Sequence, residues 1–265
     1  MAREVSSISR IGTSEPFELQ VSRGQIAYHE FIHKFGYNPD IAESNETVWA
    51  QGGLYTYPTS ASTMYISSSS TADTSAGTGA RTATVSGLDA NFDEISETVS
   101  LNGQTGVQLN GALNWYRVNR IVVNTAGSGG ANAGVLYVGT EATPPGGVPT
   151  NKYATVAIGD NQTLMCLWTV PRGYTAYLHQ KDVSASSSAS KFAIFTLVAR
   201  PDGGVFNVKD RVTLANNSTS IPYWNPIVFT EKTDIEVRAE ADSSGGTITA
   251  SATLDITYIK NGSDL

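Results

Sequence analysis

The sequence predicts an all-β fold, an antiparallel β-sandwich of jelly-roll-like type, on three observations. Apolar and polar residues alternate with period two in segment after segment beyond residue 50. Clusters of Gly, Pro, Asn and Ser separate these segments at short intervals. Only Gln25 to Phe35 spaces its apolar residues Ile26, Phe31, Ile32 and Phe35 along a helical face, and Gly24 and Gly36 bound it at about three turns. Parallel β-α-β architecture needs recurrent amphipathic helices, so it is excluded. Two antiparallel sheets must pack face to face to hide their apolar sides. One jelly-roll-like sandwich with extra strands, or two small sandwiches in series, would do this.

The strand candidates follow in order. Thr63 to Ser67 and Arg81 to Leu88 alternate, and Ile95 to Leu101 puts Ile95, Glu97, Val99 and Leu101 on one side before the tight-turn pair Asn102-Gly103. Further runs are Trp115–Asn124, Gly134–Gly139, Tyr153–Ile158, Leu164–Val170 and Thr175–His179. Phe192–Arg200, Val205–Leu214, Ile227–Thr230, Ile235–Ala239 and Ile248–Ile259 complete the set. Residues 1–50 show no sustained alternation through Ser22 and are expected to form an N-terminal arm and anchoring segment, with the sandwich over 51–265. The Pro/Gly-rich stretch 143–151 is a candidate subdivision or a long interstrand loop. The serine-rich run Ser184 to Ser190 is expected to be a mobile loop.

Composition limits what such a chain can do. Its 265 residues, 40% hydrophobic, can bury a large core. Cys166 is the only cysteine, so no internal disulfide forms, and its apolar neighbours mark it as a small buried hydrophobe. The first ten residues lack the apolar run of a signal peptide, and nothing approaches the about 18 apolar residues of a membrane helix; a soluble chain without membrane contact is expected, and sequons such as Asn45-Glu46-Thr47 carry little weight. A net charge of -7, with Arg81, Arg117 and Arg120 the only basic residues between Phe35 and Asn151, argues against nucleic acid as a partner.

Tyr28-His29-Glu30-Phe31-Ile32-His33 matches His-Glu-x-x-His, in which two histidines one helical turn apart hold zinc and the glutamate polarises its water. The longer form of that motif wants a third histidine where Pro39 stands, and proline has no ligand atom. No metal or cofactor is therefore expected. The glycine-rich run Gly127 to Gly134 leads into a strand-like segment, not a helix, and reads as a strand-linking loop. Asp89, Asp93, Glu94 and Glu97 read as solvated turn and strand carboxylates, and Arg117 and Arg120 as surface ion-pair formers or, alternatively, as contacts to a neighbouring acidic loop. His179 has no Gly-x-Ser-x-Gly serine to serve.

Several blocks occur together in order. His33-Lys34-Phe35-Gly36-Tyr37-Asn38-Pro39-Asp40-Ile41, Glu46 to Gly53 and Tyr55-Thr56-Tyr57-Pro58 come first, followed by Asp73 to Thr82, Gly87 to Val99 and Tyr116 to Arg120. Val170 to Leu178 and Arg200 to Phe206 come last. Over roughly Gln25 to Leu214 these blocks resemble a family of small virion proteins encoded by tailed bacteriophages and common among marine phages. The pair His29-Glu30 departs from that family's pattern. The resemblance implies a non-enzymatic structural component of the virion, assembled in the host cytoplasm.

The expected role is capsid decoration or stabilisation by a symmetric oligomer, such as a trimer, that bridges the major capsid protein or other virion subunits. A neck, baseplate or receptor-binding tail component is the alternative, and a zinc metallopeptidase is the third reading. Aromatic side chains contribute disproportionately to protein interfaces. Phe31, Phe35, Tyr37, Trp49, Tyr55 and Tyr57 are the expected anchors, with Gly36, Asn38, Pro39 and Asp40 shaping the turn that presents them. Burial of the same rings against the chain's own sandwich is the competing expectation.

Overall fold

The computed structural model describes residues 15–110, 114–187, 191–242 and 247–262. A short helix α1 (Phe17–Ser22) precedes β1 (His29–Asn38), β2 (Glu46–Thr47), β3 (Tyr65–Ser68), β4 (Ala80–Asp89) and β5 (Glu94–Ser100). Next come β6 (Val107–Gln108), β7 (Trp115–Ala126), β8 (Leu136–Gly139), β9 (Ala154–Val156) and β10 (Leu167–Thr169). The chain closes with β11 (Tyr174–Ser187), β12 (Ala193–Arg200), β13 (Asn207–Leu214), β14 (Ser218–Phe229), β15 (Asp234–Ala241) and β16 (Ile248–Lys260).

The fold is an all-β antiparallel sandwich with a second β module inserted in it. One sheet has the order β1-β16-β11-β14, and the facing sheet has β10-β15-β12-β13, with β2 beside the far half of β15. Taking only β1 and β10 to β16 and counting them one to eight, the orders become 1-8-3-6 and 2-7-4-5. This is the double Greek-key path of a jelly roll. Its core interleaves Leu178, Leu254 and Ile256 from the first sheet with Phe195, Leu197, Ile235 and Val237 from the second. Strand β16 alternates buried and half-buried residues without a break from Ile248 to Ile259, so its Ser and Thr side chains all leave by the outer face.

Residues 39–166, between the first and second jelly-roll strands, carry β2 to β9. Sheets β6-β3-β8-β9 and β5-β4-β7 enclose a separate apolar cluster built on Met64, Ile66, Val85, Trp115, Ile121 and Leu136. The loop 143–151 lies between β8 and β9, which pair with each other within this module. Asp73 organises the module's glycine-rich connections. Its carboxylate accepts hydrogen bonds from the amides of Ala80, Ala133 and Gly134 at 2.7–2.8 Å and from the Ser68 hydroxyl at 2.6 Å. The run Gly127 to Gly134 thus meets an anion supplied by the chain itself.

Two expectations fail in one place. His29 to Asn38 is neither helix nor arm: it is β1, paired with β16 from His29↔Ile259 to Asn38↔Ala250. Aromatic and β-branched residues in close succession favour a pleated surface, and the long partner strand β16 decides the matter. Gly36 lies inside the strand and shapes no turn. A Cβ there would overlap the Val48 carbonyl oxygen and the Cys166 amide nitrogen, so only glycine lets β1 approach that backbone pair. The serine run also differs from expectation: Ser184 to Ser187 belong to β11, and 188–190 lie outside the described residues.

Candidate interaction surface

Where the module meets the jelly roll, charged groups are buried and paired. Asp234, at the start of β15, receives the Arg117 guanidinium through Nε at 2.9 Å and Nη2 at 3.1 Å. It also receives Arg200 through Nη2 at 2.6 Å and the Thr169 hydroxyl at 2.6 Å. Four elements thereby converge on one carboxylate. Two residues on, Glu236 is fully buried, accepts from Arg238 at 3.1 and 3.2 Å, and is held by Thr47 and Tyr57. Burial works against the Arg117 charge, yet the hydrogen bonds and charge of Asp234 more than offset it and raise its pKa above the ordinary arginine value.

Tyr57 lies under both Arg117 and Arg200, with the guanidinium carbons 5.3 and 4.7 Å from its ring centre. Burial raises the Tyr55 and Tyr57 phenols well above their usual range, so both stay neutral donors. Removing one partner from such a network leaves an uncompensated buried charge, so breaking the contact between the two cores is costly.

This seam claims three of the expected anchors. Trp49, Tyr55 and Tyr57 are buried in an edge-to-face ladder, with centroid separations of 5.2 and 4.7 Å, that continues to Phe206. They bind the chain to itself. Asn38 is also buried, its amide donating to Glu46 at 2.8 Å while its side-chain oxygen accepts the Asp40 amide at 3.1 Å; Pro39 and Asp40 are exposed just after β1. Of the aromatic candidates, Phe31, Phe35 and Tyr37 remain on the outer face of β1. Phe31 and Tyr37 are exposed, and Phe35 is half-buried beneath Arg120. At the opposite edge of the same sheet, Trp224 on β14 is 92% exposed and Val228 is also open to solvent.

The zinc-site geometry is not formed. In an extended strand His29 and His33 stand about 13 Å apart along the chain, where a helix would stack them one turn apart. His29 packs edge-on against Phe17, and the His33 Nδ1 pairs with Asp255 at 2.6 Å. No group of three or more His, Cys, Asp or Glu among the described residues could hold a metal ion. Other candidates have structural partners as well. Asp93 takes Arg172 in a two-bond grip, Asp89 caps its own turn through the amides of Asn91 and Asp93, and the His179 Nε2 meets the Thr257 hydroxyl at 3.0 Å. Arg117 is not a surface ion-pair former, as expected from sequence, but the buried centre of the seam.

The inner face of β1 carries a feature that sequence reasoning missed. Lys34 is buried, and its ammonium donates to the main-chain oxygen of Asn119 on β7. Burial pulls its pKa down to about 7, with the Cys166 thiol opposing and Arg120 reinforcing the shift. It lines a cleft of about 280 Å³ between β1 and the β5-β4-β7 sheet. The neighbouring Cys166 thiol is pushed up to about 12 by burial, as suits a packed hydrophobe.

No family model matches the chain, and no curated protein matches it. Among solved structures, it is similar to that of infectious bursal disease virus, Gx strain, at 12% identity over 89% of this chain and 77% of that chain, with a TM-score of 0.23. It is likewise similar to the infectious bursal disease virus VP2 subviral particle, at 12% identity over 90% and 74% with the same score. Superpositions at this score do not establish a common fold and carry no argument for function.

Proposed function

We propose that this chain is a structural protein of a tailed-phage virion that decorates or stabilises the capsid by bridging neighbouring capsid subunits. The observation that carries the reading is the distribution of chemistry in the molecule. Buried charged and aromatic groups join the two β cores, while exposed aromatic and aliphatic side chains stand on opposite edge strands of the jelly roll, at Phe31 on β1 and at Trp224 and Val228 on β14. A stiff body with an anchor at each side suits a clamp, because a binder that is already rigid loses little conformational entropy on binding. The ordered blocks that resemble small virion proteins of tailed phages support the same reading. A jelly roll alone decides nothing, since the architecture hosts unrelated functions.

The subunit assembles as a symmetric homo-oligomer, the usual arrangement for repeated contacts on a regular shell. Quantitative mass spectrometry of purified virions, together with a reconstruction of the particle, tests the reading. Copies commensurate with the major capsid protein support decoration. A copy number matching the neck or tail proteins moves the subunit there, and absence from the particle refutes a virion role. Light scattering that shows a monomer in dilute solution, combined with a lone copy at each virion site, counts against the oligomer.

A further inference from the structure

The outer face of the β1-β16-β11-β14 sheet holds a groove of about 290 Å³ lined by hydroxyl-bearing side chains around one carboxylate. Strand register places six of its residues in two transverse rows that run on beyond the groove to the edge strand β1. One row runs Tyr37, Ser251, Ser184, Ser218; the next runs Phe35, Thr253, Asp182, Ser220. Each row begins with an aromatic ring on the edge strand and continues across hydroxyl-bearing residues. Six of the eight lining residues carry hydroxyls, and Asp182 is the one ionisable group among them.

We propose that this face binds a neutral saccharide, with one sugar ring against Tyr37 and its hydroxyls directed to the Ser, Thr and Asp182 side chains. Several physical features favour that class. Hydroxyls both donate and accept, and a carboxylate accepts from two oxygens, so the row matches a ligand dense in hydroxyl groups. The Gln180 amide donates to both Asp182 oxygens at 3.0 and 3.1 Å, which fixes the carboxylate while leaving lone pairs free on each oxygen. Ser184 and Ser251 hold each other at 2.6 Å, so the middle of the row is pre-arranged. Tyr37, 37% exposed, offers a flat ring at the end of the row, suited to the apolar C–H face of a pyranose.

An anionic ligand would find no cation among the lining residues, and a metal ion would find a single carboxylate. A protein partner is poorly matched too, because interface centres are apolar whereas this one is hydroxyl-rich. Three inter-strand intervals span about 14 Å, the width of a short oligosaccharide.

The inference does not depend on the virion reading and is tested on the isolated chain. Purified protein is applied to a printed array of neutral and anionic oligosaccharides, and the best neutral glycan is then cast into native gels. The expected result is retardation by the neutral glycan that falls at least tenfold in apparent affinity for Tyr37→Ala and for Asp182→Ala. Val205→Ala, exposed between β12 and β13 and outside the two rows, should be retarded like the parent, and all three variants should keep the parent's thermal midpoint. The proposal is overturned by binding to anionic glycans alone, by no binding on the array, or by full retention in both Tyr37→Ala and Asp182→Ala. It is equally overturned if sedimentation shows a dimer that Tyr37→Ala dissolves, since a second copy would then occupy the groove.

Discussion

Replacing Lys34 by Met should stabilise the protein, and the gain should depend on pH in a way that identifies its cause. The buried lysine stem borders the cleft between β1 and β7, and Met keeps most of its volume while removing the charge. Folding moves the Lys34 pKa from 10.5 to about 7, chiefly through burial, a displacement of about three and a half units. At about 1.4 kcal/mol per unit this sets a ceiling of about 5 kcal/mol on the cost of burying the ammonium. Loss of the bond to the Asn119 oxygen returns about 1 kcal/mol of that gain.

The folded pKa lies below the unfolded one, so the sign follows directly. Below pH 7 both states hold the proton and the wild type bears the full cost. Between pH 7 and 10.5 the unfolded state binds more protons, and wild-type stability rises. Above 10.5 both are neutral and the cost vanishes. Guanidinium unfolding at pH 6, 8 and 10.5 should therefore show Lys34→Met more stable by about 2–4 kcal/mol at pH 6, with the gap shrinking steadily as pH rises. A gap independent of pH, or a variant less stable at pH 6, would refute the assignment of a strained buried ammonium.

Other perturbations probe the seam and the strand contacts. Arg117→Met leaves Asp234 with Arg200 and Thr169 alone and should cost about 3 kcal/mol in denaturant unfolding; a cost under 1 would show the seam to be dispensable. Gly36→Ala drives a methyl group into the Val48 and Cys166 backbone, which cannot yield as a flexible side chain would, and should lower stability by at least about 2 kcal/mol by the same assay. A wild-type melting curve for that variant would disprove the close approach. Cys166, fully buried with its thiol pKa pushed up to about 12, should resist a disulfide labelling reagent at pH 8 until denaturant is added, whereas prompt labelling of native protein would mean that the β10 edge opens readily.

Much of the fold was legible because half-buried antiparallel strands write their period into the sequence. Ile248 to Ile259 and Arg81 to Leu88 alternate visibly, and both are strands. What escaped was strand structure whose outer side chains are aromatic. His29 to Asn38 places Phe31, Phe35 and Tyr37 outward and Lys34, Gly36 and Asn38 inward, the reverse of the usual pattern, and so imitated a helical spacing. Residues 218–226 escaped for another reason. Pro222 and Pro226 argue against a central strand, and β14 is an edge strand, where proline is tolerated and discourages pairing with other chains.

The anchors divide along the same line, because sequence shows which side chains can adhere but not to what. Tyr57 carries the same ring and hydroxyl as Tyr37, yet it lies in the insertion, stacked with Trp49 and Tyr55, and its hydroxyl donates to Glu236, 179 residues away in the sequence. Nothing local in Asp234-Ile235-Glu236-Val237-Arg238 marks it as the centre of a seam, since it reads as an ordinary alternating strand. The carboxylates there acquire their role only when the inserted module brings Arg117 over them.

The long insertion between the first two jelly-roll strands is therefore tied to the sandwich through a buried charge pair and buried hydrogen bonds. It covers the β10-β15 side of the sandwich with a second core and neutralises buried charge in doing so. On the outer face of the opposite sheet the module reaches only the β1 edge, where Arg120 lies over Phe35, and Tyr37 stays exposed.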